Sequence, residues 1–238
     1  AKLEALVNEA AIHAARENRH LVEHKDFESA KDKILMGIEQ RSLVVSEEEK
    51  YKTAIHEAGH ALINIIFKKH LDPLHKVSII PRGNALGVTM SLPEKERALN
   101  YTKSKCEALI SMMMGGRIAE EIFFEGELST GASNDIEKAT HVARGMVYSW
   151  GMSALGPVNF ENDTQFNYKF SEQTRAQADK EVMGIVNTNY ERAKTILSEN
   201  RHILERVAKL LITKETIDGS EVEALMKEET TPPSQPEA

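Results

Sequence analysis

The segment from His56 to His60 contains two histidines four residues apart, with Glu57 directly after the first. Residues at this spacing share one face of an α-helix, so both imidazoles can offer a nitrogen to a single metal ion. Zinc held in this way keeps an open coordination position and lowers the pKa of its bound water to about 7. Glu57 is placed to take the proton of that water without being a ligand itself. The spacing therefore predicts metal-assisted hydrolysis of an amide bond.

The alternative is a chance match on a helix that carries two solvated histidines. The surrounding residues argue against it, because they are mostly apolar: Ala54, Ile55, Ala58, Ala61, Leu62, Ile65 and Ile66. Burying two histidines and a glutamate in such a helix is costly unless they are paired or bound to metal. Gly59, at a cost of about 1 kcal/mol relative to alanine inside a helix, suggests close packing or a bound group. The sequence favours a metal site.

The spacing alone leaves the third metal ligand open. A metzincin would need a glycine and a histidine three and six residues after His60, where Ile63 and Ile66 stand instead. The remaining candidates are the acids Glu120, Glu121 and Asp135, and the other histidines. We expect His13, His20, His24 and His202 to be solvated on polar helices, and His70, His75 and His141 to be ordinary surface or packing residues.

The elements that must position these groups are mainly helices. Helical patterns cover about 3–20, 24–37, 46–70, 102–124, 134–150 and 172–211, followed by a short helix through Met226. Two strands, Val77–Ile80 and Leu86–Met90, flank an Arg82–Asn84 turn and predict an edge hairpin. The fold class is thus mainly α with a small β-hairpin or edge sheet.

Composition bounds the remaining possibilities. The 238 residues, 41% of them hydrophobic, suffice for one sizeable core or two modest domains. A net charge of −7 argues against a nucleic-acid partner, and the single cysteine, Cys106, excludes disulfide frameworks and Cys-rich zinc modules. No stretch is apolar enough for a membrane span. Because the chain opens on Ala1 within a helical pattern, we expect a soluble piece of a longer protein.

Three separated motifs occur in one order: His56–His60, Gly115–Glu121 and Ser129–Asp135. Together they resemble the peptidase domain of the FtsH family, membrane-anchored AAA zinc proteases. The stretches Asn8–Ala11 and Lys31–Ile34 resemble the end of that family's ATPase lid. The resemblance covers residues 1–229, but no GxxxxGK[ST] phosphate loop occurs, so ATP would act only in the full-length parent.

This resemblance implies a domain organisation and a set of roles. Residues 1–42 would be the C-terminal part of the AAA lid and 43–229 the zinc peptidase domain. Residues 230–238 form a Pro/Glu/Thr tail that composition predicts to be disordered. Asp135 would be the third zinc ligand beside His56 and His60, while Glu120 would hold a ligating imidazole by its other nitrogen. The edge strand residues would bind an extended substrate: Leu86, Gly87, Val88 and Thr89.

The implied function is a zinc endopeptidase acting on unfolded or membrane-extracted polypeptides. Its parent would be a homo-hexamer anchored in the membrane, with the peptidase at the cytoplasmic face of the inner membrane. The alternative is a catalytically silent helical domain that keeps the fold as a ring-forming module. The intact Glu57 argues against that reading, because a silent copy has no chemical need for a base. A nucleic-acid binder lacks both a basic patch and a known motif.

Overall fold

Helices dominate the part of the chain that the computed structural model describes, namely residues 2–83, 85–93, 100–127, 129–161 and 170–230. In chain order the α-helices and strands are α1 (Lys2–Arg16), α2 (His24–Met36), α3 (Glu47–Ile66), β1 (Leu74–Ser78), β2 (Val88–Ser91), α4 (Lys103–Phe123), α5 (Ser133–Arg144), α6 (Glu172–Glu199), α7 (Arg201–Lys214), β3 (Thr216–Asp218) and α8 (Gly219–Thr230). The mainly α class with one small sheet is confirmed.

Helix α3 lies at the centre of the core. It begins where the Ser46 hydroxyl accepts a hydrogen bond from the Glu49 backbone N–H at 3.1 Å, as a capping residue should. It packs mainly against α4 and α7, and α4 packs in turn against α6. The approach of α3 to α4 is very close, since a Cβ at Gly59 would lie 2.3 Å from the Gly115 carbonyl oxygen. Close packing therefore accounts for a glycine inside this helix.

The sheet has three antiparallel strands in the order β2-β1-β3. Val77 pairs with Thr89 on one side and with Ile217 on the other, so β1 is central and β2 is an edge strand. The expectation of a two-stranded edge hairpin is wrong for β1, because its second partner comes from the far end of the chain. Leu86 and Gly87 lie just before β2, and Asn84 of the expected turn lies outside the described residues.

The helical pattern expected over 172–211 is present as two helices, because α6 ends at Glu199 and α7 begins at Arg201. At Asn200 the backbone leaves the helical path, with φ −110°. Its carboxamide donates at 2.8 Å to the Ile196 carbonyl, which also accepts the Asn200 backbone N–H at 3.2 Å. One asparagine thus divides an otherwise continuous apolar pattern into two helices.

Helices α1 and α2 form a hairpin that contacts the rest of the chain through polar groups. Lys76 of β1 donates to Asp32 of α2 at 2.5 Å, and Arg82 donates to the Gly37 carbonyl at 2.8 Å. Within the hairpin, His13 lies 2.7 Å from the buried carboxylate of Asp26. The expectation that His13 is only solvated is therefore wrong, because helix periodicity does not show what a second helix brings beside a residue.

Two sequence expectations concern the chain's end and its relation to a membrane. Helix α8 extends to Thr230, and residues 231–238 of the expected disordered tail lie outside the described residues. Among the described residues, no helix is both long enough and apolar enough to cross a bilayer.

Candidate metal centre

Three predicted ligands from two helices meet at one point. His56 and His60 project from α3, and Asp135 projects from the first turn of α5. The two Nε2 atoms lie 3.0 Å apart, and the Asp135 Oδ2 atom lies 3.4 Å from that of His56 and 3.3 Å from that of His60. Tetrahedral zinc bonds of about 2.0 to 2.1 Å would separate neighbouring ligand atoms by about 3.3 to 3.4 Å. The two distances to Asp135 match that spacing, and the distance between the two Nε2 atoms is about 0.3 Å shorter.

Hydrogen bonds on the far side of each ring orient the two histidines. His60 Nδ1 lies 2.7 Å from the Met112 carbonyl oxygen, and His56 Nδ1 lies 2.6 Å from Glu120 Oε1. A carbonyl and an ionised carboxylate only accept, so each Nδ1 must carry the proton. In the neutral rings both Nε2 atoms then direct lone pairs towards each other and towards Asp135. Such a convergence of acceptors needs a positive charge, either a proton on one Nε2 atom or a metal ion, and the donor set suits zinc.

Glu120 occupies the position expected for an acid behind a ligating imidazole, and it has a second partner. Ser129 donates its hydroxyl proton to Glu120 Oε2 at 2.7 Å, so both carboxylate oxygens are hydrogen-bonded. No sequence pattern indicated this role for Ser129, although it opens one of the three motifs. Glu121 points away and binds Lys194 of α6 at 2.6 Å. Of the three acids left open by spacing, only Asp135 reaches both imidazoles.

The charges around the site reinforce one another. Burial by itself lowers the pKa of His56, but hydrogen bonds to Asp135 and Glu120 outweigh it and raise that pKa to about 10. Burial likewise raises the pKa of Asp135, yet the hydrogen bonds to His56 and His60 hold it well below its usual range. The pKa of Glu120 is lowered for the same reason, through His56 and Ser129 against its burial. The site therefore attracts a positive charge.

Helix α4 makes room for the imidazoles by presenting a glycine to them. A Cβ at Gly116 would lie 2.5 Å from His56 Nε2 and 2.6 Å from His60 Nε2. Both distances are shorter than side chains tolerate, so any larger residue would have to displace the rings. The glycine pair in the Gly115–Glu121 motif thus serves two purposes, helix contact at Gly115 and space for the ligands at Gly116.

Strand β2 and the loop before it close over Glu57. Thr89 donates its hydroxyl proton to Glu57 Oε2 at 2.6 Å, and a Cβ at Gly87 would lie 2.6 Å from Glu57 Oε1. Leu86 is exposed and Val88 is half-buried. This segment was expected beside the site as a substrate strand, but its contacts with Glu57 through Gly87 and Thr89 were not expected. No local pattern relates a strand to a helix residue 32 positions earlier.

A second group of possible metal ligands among the described residues is His13, Glu17 and Asp26. Arg19 already donates to both acids there, at 2.7 Å to Glu17 and 2.8 Å to Asp26. A guanidinium supplies the positive charge that the carboxylates need, so this cluster is an ion-pair network of the α1–α2 hairpin.

The chain is similar to known proteins along nearly its whole length. The chain is 45% identical to a protein of Acidobacterium capsulatum named ATP-dependent zinc metalloprotease FtsH, over 99% of this chain and 38% of the relative. It is 49% identical to relatives from Myxococcus xanthus (FtsH) and Bdellovibrio bacteriovorus (FtsH 1), over 95% of this chain and 37% and 36% of theirs. The chain thus spans less than two fifths of their length. The sequence profile of peptidase family M41 matches residues 43–225, and we conclude that the chain belongs to peptidase family M41.

Proposed function

We propose that this chain is the peptidase part of an ATP-dependent zinc endopeptidase that cleaves unfolded or membrane-extracted polypeptides. One observation carries the proposal: His56, His60 and Asp135 direct acceptor atoms at one point with the separations of a zinc ligand set. The relatives' names, which specify an ATP-dependent zinc metalloprotease, support the same activity.

In the proposed mechanism His56, His60 and Asp135 hold the zinc. When bound, zinc supplies a Lewis acid that polarises the scissile carbonyl and makes water a better nucleophile. Glu57 accepts a proton from the attacking water at a carboxylate oxygen and later donates it to the leaving amine. Glu120 and the Met112 carbonyl keep both imidazoles in the tautomer that leaves Nε2 free for the metal.

The segment Leu86–Thr89 is proposed to align the substrate. In the described sheet, β2 has β1 on one side and an unpaired edge on the other. An extended polypeptide can pair along such an edge through its backbone, which places the scissile bond without reading side chains. This fits an enzyme for unfolded chains, because backbone pairing requires an extended substrate but little sequence preference.

The remaining roles belong to the whole protein and rest on the FtsH resemblance. Residues 1–42 are proposed to be the end of the AAA lid and 43–229 the peptidase domain. Exposed apolar residues of the α1–α2 hairpin support a further partner for it: Leu3, Val7, Ile12 and Leu35. The parent would form a homo-hexamer, anchored in the membrane with the peptidase on the cytoplasmic face of the inner membrane, and would use ATP to unfold substrates.

Glu57→Gln tests the proposed base. The amide cannot take the proton, so hydrolysis of an unfolded casein-type substrate by the zinc-loaded chain should fall by about 100-fold or more. Zinc content should not change, because Glu57 is not a ligand. The matched control is Glu48→Gln on the exposed face of the same helix, which should keep full activity. Retention of more than a few per cent of the activity in Glu57→Gln would refute the role of Glu57.

A further inference from the structure

The carboxylate of Glu57 is held by the strand that faces it. Glu57 is only 6% exposed, and its Oε2 atom accepts the 2.6 Å hydrogen bond from Thr89. Its Oε1 atom faces the backbone at Gly87, where a Cβ would come within 2.6 Å. One oxygen is therefore hydrogen-bonded, and the other occupies space that only a glycine leaves open.

Thr89 reaches Glu57 because one face of β2 lies along one face of α3. Thr89 and Ser91 are two residues apart and share one face of β2, while Glu57 and Asn64 are seven apart and share one face of α3. Ser91 Oγ accepts from Asn64 Nδ2 at 2.9 Å, which gives a second contact between the same two faces. Thr89 also pairs with Val77 of the central strand. Its position is thus determined by the sheet on one side and by α3 on the other.

The Thr89 hydroxyl has two possible acceptors on Glu57 and one proton to donate. The carboxylate oxygen lies at 2.6 Å and the backbone carbonyl oxygen at 3.3 Å. A hydrogen bond to an ionised carboxylate is both shorter and stronger than one to a carbonyl. The proton therefore belongs to the bond with the carboxylate.

We propose that Thr89 is a positioning residue for Glu57, an inference that rests on the proposed function. By binding Oε2, the hydroxyl selects one orientation of a flexible side chain and leaves Oε1 as the oxygen that receives the proton from water. Orientation of this kind matters because a misplacement of about 1 Å at a reacting group can lower the rate about 100-fold. The strand proposed to align the substrate would then also orient the base.

Thr89→Val and Thr89→Ser test the proposal with a short unstructured peptide substrate and zinc-loaded protein. Valine keeps the shape and loses the hydroxyl, so kcat should fall by about 10- to 100-fold, the range expected for one hydrogen bond to a charged group. KM should stay within about twofold, because Glu57 acts on the chemical step rather than on binding. Serine keeps the hydroxyl and should restore most of kcat.

Ser91→Ala is the matched control. It removes a hydroxyl from the same face of the same strand, but one that contacts Asn64 instead of Glu57. Its kcat should equal that of the wild type, and all three variants should bind one equivalent of zinc. A similar loss of kcat in Ser91→Ala would show that weakening the strand is the cause, and would overturn the proposal.

A thermal double-mutant cycle gives a readout that does not depend on activity. In the chelator-treated protein, Thr89→Val should lower Tm in the wild-type background and change it much less beside Glu57→Ala, because the two side chains stabilise each other. Additive Tm shifts, or wild-type kcat in Thr89→Val, would overturn the role of Thr89. If Glu57→Gln is inactive while Thr89→Val is fully active, only this inference fails. An active Glu57→Gln would instead refute the proposed role of Glu57 as the base, on which this inference rests.

Discussion

Gly116→Ala should separate zinc binding from folding. The added Cβ would lie 2.5 Å from His56 Nε2 and 2.6 Å from His60 Nε2. Neither ring can turn away freely, because His56 is bonded to Glu120 and His60 to the Met112 carbonyl. The added methyl group would therefore clash with both imidazoles at the nitrogen atoms that would bind the metal.

The magnitude follows from the distances. An ordinary contact for a Cβ begins at about 3.4 Å, so His56 Nε2 would have to move by about 3.4 − 2.5 = 0.9 Å and His60 Nε2 by about 3.4 − 2.6 = 0.8 Å. Metal–ligand distances tolerate only about 0.2 Å of deviation. Losing a single partner behind a ligand already costs about 10- to 100-fold in metal affinity. Displacing two ligands should cost at least about 100-fold, or about 2.7 kcal/mol.

Competition with a chromogenic chelator measures the zinc affinity, and thermal melting of the chelator-treated chain measures stability. Alanine is about 1 kcal/mol more favourable than glycine inside a helix. The substitution in α4 should therefore not destabilise the zinc-free chain, although it weakens zinc binding. Gly184→Ala on α6 is the matched control, because a Cβ there meets nothing within 4 Å. It should bind zinc as the wild type does. Unchanged zinc affinity in Gly116→Ala would refute the steric argument and the site geometry behind it.

Two further predictions concern the groups behind the ligands. Because Asp135 and Glu120 overcome the effect of burial and raise the pKa of His56 from 6.5 to about 10, protonated His56 stabilises the zinc-free fold fully below pH 6.5. That stability is lost as pH rises towards 10, so the Tm of the chelator-treated chain should fall over this range. If the Tm of His56→Gln depends on pH as strongly as that of the wild type, His56 is not the group responsible. Glu120→Gln should lower zinc affinity by about 10- to 100-fold in the chelator assay, whereas Glu121→Gln, whose carboxylate binds Lys194, should not.

The local part of the site could be predicted from the sequence. The four-residue spacing of His56 and His60 determines that both imidazoles share a helix face, and Ser46 marks where that helix begins. The apolar residues around the motif indicated that this helix is buried, and it is the centre of the core. These features depend on helix periodicity, which relates residues only a few positions apart and can therefore be recognised in the sequence.

Other features depended on contacts between distant segments. Spacing did not distinguish Asp135 from Glu120 and Glu121; the packing of α5 against α4 brings Asp135 to both imidazoles. The central position of β1 depends on Ile217, which pairs with Val77 across 217 − 77 = 140 residues.

The hydrogen bond from Thr89 to Glu57 likewise exists only because β2 lies along α3. The sequence by itself determined the residue types and local periods that make a zinc site possible. The tertiary structure decided which acid lies beside both imidazoles and which hydroxyl contacts Glu57, because packing sets the distances between segments that are far apart in the chain.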